Sequence, residues 1–191
     1  MRVLITGTPG VGKTTICRGL AEALGARCIE VASLLAGKEF TLWDPTSQTY
    51  DILDINRARR LLQTELVGDY IIDTHVLELL ENDDVERIFV LRKRPDVLYE
   101  ELARRGWPIK KILDNVWAEV LDYILVRAKE RWDQLIQLDV TYRRPDQTVE
   151  LIRRCVTNGE CIHEDVDWLE YINENGFVEL LERLSATYAP S

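Results

Sequence analysis

Met1-Arg2-Val3-Leu4-Ile5-Thr6-Gly7-Thr8-Pro9-Gly10-Val11-Gly12-Lys13-Thr14-Thr15 opens the chain, and its reading decides the fold. Met1 to Ile5 is a short apolar strand. Gly7 to Thr14 is a complete G-x-x-x-x-G-K-[ST] phosphate loop, and Lys13 to Leu24 is the helix that follows it. Glycines let the backbone bend so that successive N–H groups face one anion, while the helix turns its positive end to the same phosphates. Gly10 and Gly12 belong to this cradle. Lys13 should reach the outer phosphates of a nucleotide, Thr14 should offer its hydroxyl to Mg²⁺, and Thr15 adds a second hydroxyl on the first helical turn. A glycine-rich turn that binds nothing is the competing reading, and the strand before and helix after outweigh it. The helix sets Ile16, Leu20, Ala23 and Leu24 on one face and ends near Gly25.

Outward from this loop, apolar runs alternate with helical patterns, which predicts an α/β fold with a mainly parallel sheet. Strands are expected at Val3–Ile5, Cys28–Val31, Tyr70–Asp73, Arg87–Leu91 and Gln137–Val140, with further helices at Ile55–Leu66 and Val97–Arg105. No repeat, low-complexity stretch or linker divides the 191 residues, so one domain is expected. A hydrophobic content of 46% suffices for a full core. The formal charge of −9 and pI near 4.9 give no strong direct nucleic-acid signal. No apolar run approaches the ~20 residues of a membrane helix, so a cytoplasmic location without membrane contact is expected. Cys17, Cys28, Cys155 and Cys161 lack C-x-x-C spacing in a core-rich chain and read as buried thiols rather than disulfides. Cys155, Cys161 and His163 lack a fourth ligand, so no structural metal is expected.

Two further stretches carry chemistry. Tyr70-Ile71-Ile72-Asp73-Thr74-His75 brings a carboxylate to the C-terminal end of a strand, the edge where open α/β sheets bind ligands. Asp73 can hold Mg²⁺ opposite Lys13 and Thr14, and His75 can position a water or phosphate there. A helix cap and an ordinary polar histidine are the plainer alternatives. Between Leu91 and Val120, basic residues concentrate despite the acidic total. Arg105, beside Gly106, suits a moving cover whose guanidinium stabilises charge on a transferred phosphoryl group, whereas Arg92, Lys93 and Arg94 individually read as a solvated basic face.

The phosphate loop, Asp73-Thr74-His75, Val90-Leu91-Arg92, Leu98-Tyr99-Glu100, Arg105-Gly106-Trp107, Lys111, Asn115 and Glu119 together resemble the type 6 adenylate kinases over about residues 1 to 157. That resemblance implies a three-layer P-loop NTPase fold of the nucleoside monophosphate kinase type with a short lid, ATP and Mg²⁺ as ligands, and AMP or another monophosphate as acceptor. It also implies ATPase activity and a role in small ribosomal subunit maturation through a ribosomal protein partner. By matched position, Gly10, Gly12, Lys13, Thr14 and Thr15 bind ATP, Asp73 and His75 form a modified Walker B element, Thr14 and Asp73 hold the metal, and Arg105 is the lid arginine. Arg144 resembles the loop that passes the adenine ring. The monophosphate segment falls at about 30–53, the lid at about 104–114, and a helical extension at about 158–191. The chain departs from the pattern at Glu101, where many relatives have arginine, and at Ala36, near a position that often supplies an arginine to the acceptor phosphate; Lys38, Arg57, Arg59 and Arg60 are the available substitutes. An ATP-driven assembly factor with little kinase activity is the alternative reading.

Overall fold

Five parallel strands, β1 (Arg2–Thr6), β2 (Arg27–Glu30), β5 (Tyr70–Asp73), β6 (Arg87–Arg92) and β7 (Ile136–Asp139), form one sheet in the order β2-β5-β1-β6-β7 in the computed structural model, which describes residues 1–188. Residues 189–191, the end of the predicted extension, lie outside the described residues. The strands sit within a residue or two of their expected positions because a parallel sheet covered on both faces needs unbroken apolar runs, which are legible in sequence.

Side-chain alternation splits each run between two cores. Val3, Ile5, Ile71, Phe89 and Leu91 face the core beneath α1 (Lys13–Leu24), α4 (Pro95–Arg104), α5 (Ile109–Val120) and α7 (Pro145–Asn158). Leu4, Ile72, Ile88 and Val90 face the other, beneath α2 (Val31–Leu35), α3 (Ile55–Glu65) and α6 (Tyr123–Lys129). The result is the expected three-layer α/β architecture.

Helix boundaries follow local chemistry. The Asp54 carboxylate accepts from Arg57 N at 3.0 Å to start α3. Pro95 and Pro145 occupy first-turn positions of α4 and α7, where a missing N–H costs nothing. A hairpin that the periodicity did not predict, β3 (Thr41–Asp44) and β4 (Thr49–Ile52), stands off the main sheet. Its turn is set by Asp44, whose carboxylate accepts from Thr46 N at 2.8 Å and Ser47 N at 3.2 Å.

Two expectations need correction. The cysteines are not thiols: Cys17 of α1 is bonded to Cys28 of β2, and Cys155 of α7 to Cys161, with Cα separations of 5.6 and 4.3 Å. Core size said nothing about pairing, which is decided by how α1 lies over β2 and how the chain turns back after α7. Arg92 and Lys93 are not a solvated face. Arg92 ends a central strand and is 1% exposed, its guanidinium bound to Glu119, Gln137 and Asp122, while Lys93 Nζ pairs with Glu101 at 2.7 Å.

After α7 the chain runs beside edge strand β7, with Glu164 N donating to Gln137 O at 3.1 Å and Asp139 N to the Glu164 carboxylate at 2.8 Å, which covers an otherwise open edge. It then forms α8 (Trp168–Glu174) and α9 (Phe177–Tyr188), whose Ile172 and Leu181 enter the core against α5. No helix among the described residues is long and apolar enough to cross a membrane.

Candidate active site

The phosphate loop leaves β1 at the sheet's topological switch, between β5 and β6. Gly7 has φ +138°, and a Cβ there would lie 2.4 Å from Leu91 O, so only glycine lets the loop fold back over β6. Gly12, at φ +104°, makes the left-handed entry into α1. Lys13 is 8% exposed and its Nζ donates to Gly7 O at 2.9 Å and Thr8 O at 3.2 Å, so the side chain arches back across the loop. Burial pushes its pKa down to about 8, against the pull of Asp73 and Glu119.

Parallel pairing puts Asp73 opposite Ile5, one strand from the loop. There its Oδ2 accepts from Thr14 Oγ1 at 2.5 Å. A hydroxyl and a carboxylate in contact are hard oxygen donors of the kind Mg²⁺ takes, with coordination positions left for waters and phosphate oxygens, so the residues fit that ion. His75 stands at the mouth of the cleft, open to it but crowded by protein. That crowding, with the charges of Lys13 and Lys111, pushes its pKa down to about 4, leaving a neutral ring at pH 7.

Two cavities meet here. One of 580 Å³ is lined by Pro9, Lys13, Thr14, Asp73 and His75 on the sheet side, by Asp44, Thr46, Ser47 and Thr49 of the hairpin, and by Trp107, Lys110, Lys111, Asp114 and Asn115 from the start of α5. The other, of 230 Å³, runs between α2 and the hairpin past Val31, Leu35, Trp43, Tyr50 and Ile52, and shares Ala32, Thr49, Asp73 and His75 with the first. Trp43 and Tyr50 meet edge to face at 5.1 Å at its rim. Lys111 closes the cleft from above, its Nζ 4.1 Å from the Trp107 ring centroid and 3.3 Å from Gln48 O of the hairpin turn.

The structure thus brings Lys13, Thr14, Asp73 and His75 together, with Gly10 and Gly12 in the loop beside them. Thr15 is exposed on the first turn of α1 and lines neither cavity. Arg105 also stands outside both: it follows α4, half exposed, with Nη2 3.6 Å from Glu101. Arg144 begins α7 and pairs with Asp146 at 2.8 Å, 70% exposed. Of the candidate acceptor cations, Arg57 pairs with Glu39 and Arg59 with Glu81 at 3.1 Å, Lys38 and Arg60 are exposed, and none lines the larger cleft. Lys110 and Lys111 do. In sequence they fall in a basic stretch within the expected lid segment at about 104–114, with no individual role; their position in the first turn of the helix that follows Gly106-Trp107-Pro108 is the available signal. The four hairpin residues gave none, because the hairpin itself was not read. Among the described residues, no group of three or more His, Cys, Asp and Glu side chains is placed to hold a metal.

A family profile described as an AAA domain matches residues 3–122. A protein of Pyrobaculum aerophilum named "Putative adenylate kinase" is 53% identical over 96% of this chain and 94% of its own length. Proteins of the same name from Sulfurisphaera tokodaii and Methanocaldococcus jannaschii are 35% and 34% identical, over 100% and 89% of this chain and 98% and 94% of theirs. In three dimensions the chain resembles a sugar kinase from Janibacter sp. HTCC2649 (TM-score 0.55, 19% identity, 85% of this chain and 98% of that one). It also resembles shikimate kinase from Bacteroides thetaiotaomicron (TM-score 0.53, 16% identity, 82% and 98%), a likeness of fold.

Proposed function

The chain belongs to the AAA-domain family and to the family of the relatives named "Putative adenylate kinase", and from that membership we propose that it is a nucleoside monophosphate kinase moving the γ-phosphoryl group of ATP to AMP or a similar monophosphate. The observation that carries this reading is the meeting of two cavities at Asp73 and His75, one containing the phosphate loop and the other an aromatic-rimmed slot suited to a second base. A hydrolase needs only the first. Transfer between two bound nucleotides needs both, with the reacting oxygens where they join.

In this reading Lys13 leaves the carbonyls of Gly7 and Thr8 to meet the donor's phosphates, and loop N–H groups with the α1 terminus hold the rest. Thr14 and Asp73 would hold Mg²⁺, which would supply positive charge against the negative charge that develops on the phosphates. His75, neutral, accepts or donates a hydrogen bond to the attacking oxygen without adding charge. Lys110 and Lys111 supply the acceptor's phosphate with the cations that Ala36 does not. Arg105 is the lid residue. Its tether to Glu101 is a surface ion pair worth about 0–1 kcal/mol, weak enough to release when the lid closes. Segments 30–53 and 104–114 are then the monophosphate and lid segments, and Arg144 the approach to the adenine.

The finer assignment to the type 6 group, with ATPase activity and a small-subunit ribosomal protein partner in the cytoplasm, is supported by the motif resemblance at Asp73-Thr74-His75 and Arg105-Gly106-Trp107. A coupled assay with ATP, Mg²⁺ and a panel of monophosphates tests the main reading. ADP should form at two per AMP consumed, and at one, with one other nucleoside diphosphate, per molecule of any other monophosphate consumed; ADP formation unaffected by every monophosphate would leave an ATPase instead.

A further inference from the structure

Glu119 is a buried carboxylate that the scheme above does not use. It is 2% exposed and accepts four hydrogen bonds. Oε1 takes Arg92 Nε at 2.9 Å, Lys93 N at 3.0 Å and Trp168 Nε1 at 3.0 Å. Oε2 takes a single donor, the hydroxyl of Thr8, at 2.5 Å. Thr8 is 1% exposed and lies inside the phosphate loop, and its carbonyl is one of the two that hold Lys13.

We propose that Trp168 is a positioning residue for the phosphate loop, acting through Glu119 on Thr8. Three donors on Oε1 fix the plane of the carboxylate, so Oε2 is aimed at Thr8, and the loop is held open in one conformation before any phosphate arrives. Two of those donors, Arg92 and Lys93, come from the end of β6, inside the matched domain. The third comes from α8, beyond residue 122 where the family match ends. The segment that delivers it is anchored independently of the loop: Cys155–Cys161 fixes its start, Glu164 bonds to β7, and Asp167 caps α8 by accepting from Glu170 N at 2.8 Å. The C-terminal segment is therefore a working part of the nucleotide site. A loop ordered in advance lowers the entropic cost of binding, and it does so equally for ground and transition states.

This inference rests on the phosphate loop binding a nucleotide. Trp168→Phe keeps the aromatic body and removes only the N–H. ADP affinity by calorimetry should fall about three- to tenfold, the net scale of one ordinary hydrogen bond, and KM for ATP should rise in step while kcat stays within about twofold. Thr8→Val should weaken affinity similarly, Thr8→Ser should restore it, and Thr8→Val with Trp168→Phe should be no worse than Thr8→Val alone, because both break the same chain of bonds. Ile172→Val thins the α8 core without touching Glu119 and serves as the packing control. Unchanged affinity in Trp168→Phe, additive effects in the double variant, or an equal loss in Ile172→Val would each overturn the inference. Normal ADP affinity in Lys13→Met would overturn the nucleotide-site reading and this inference with it; loss there with wild-type affinity in Trp168→Phe overturns this inference alone.

Discussion

Replacing Lys13 by methionine should abolish phosphoryl transfer and, at neutral pH, leave the fold slightly more stable. Burial lowers the Lys13 pKa from 10.5 to about 8, so between those values the unfolded chain binds more protons than the folded one and stability rises with pH. At about 1.4 kcal/mol per pH unit the penalty of keeping this ammonium buried is about 3 kcal/mol. It is present in full below pH 8 and gone above 10.5. Methionine, similar in length and uncharged, removes the penalty but also the bonds to Gly7 O and Thr8 O, worth about 1 kcal/mol each. The variant should therefore exceed wild type by about 1 kcal/mol at pH 7, a midpoint rise of about 2–4 °C, and fall about 2 kcal/mol below it near pH 10.5. Urea unfolding of both proteins at several pH values between 7 and 10.5 measures the difference, and groups that titrate alike in both cancel. Parallel stability curves would refute the idea that this lysine is held charged in a desolvated site, and wild-type turnover in the variant would refute its role in transfer.

Arg105→Ala should lower kcat at least about 10²-fold with less than about threefold change in ATP affinity, since a lid cation acts on charge that develops only in the transition state; a weaker affinity with normal turnover would make it a binding residue. His75→Gln should cost about 10²-fold in transfer and spare nucleotide binding. Because desolvation and the charges of Lys13 and Lys111 lower the His75 pKa, any acid limb it gives to wild-type turnover should lie below 6.5, and an acid limb at 6.5 or above that disappears in His75→Gln would contradict the placement. Reducing both disulfides should cost about 5 kcal/mol by loop entropy, from sequence separations of 11 and 6, and lower the melting midpoint by about 10 °C; an unchanged midpoint in excess reductant would show that neither bond carries stability.

Features that depend on neighbours in sequence are legible in the sequence. The phosphate loop needs a strand, two constrained glycines and a helix in immediate succession, so its backbone cradle is written in fifteen consecutive residues. The strand ending in Asp73 was readable for a similar reason: a doubly covered parallel strand is a continuous apolar run, and a charge at its end marks the ligand edge. The hairpin at Thr41–Ile52 escaped because its outer faces are exposed and carry Leu42, Trp43 and Tyr50, which blur the alternation that marks a half-buried strand.

What the sequence by itself determined is the phosphate loop with Lys13 and Thr14, and the strand end that carries Asp73 and His75 to the same edge of the sheet, because local backbone geometry and hydrophobic period are enough to specify both. Tertiary structure alone decided which charges stand beside them. In sequence Arg92 looked like Arg94 and Arg104, one basic residue among several; the ending of β6 beneath α5 made it a buried partner of Glu119, whereas Arg105 and Arg144 emerged on exposed turns paired with near neighbours. The cysteines followed the same rule. Whether two side chains 11 or even 111 positions apart touch, as Cys17 and Cys28 or Thr8 and Glu119 do, depends on how helices are laid across the sheet, and that is set by the sum of many packing contacts rather than by any short stretch of chain.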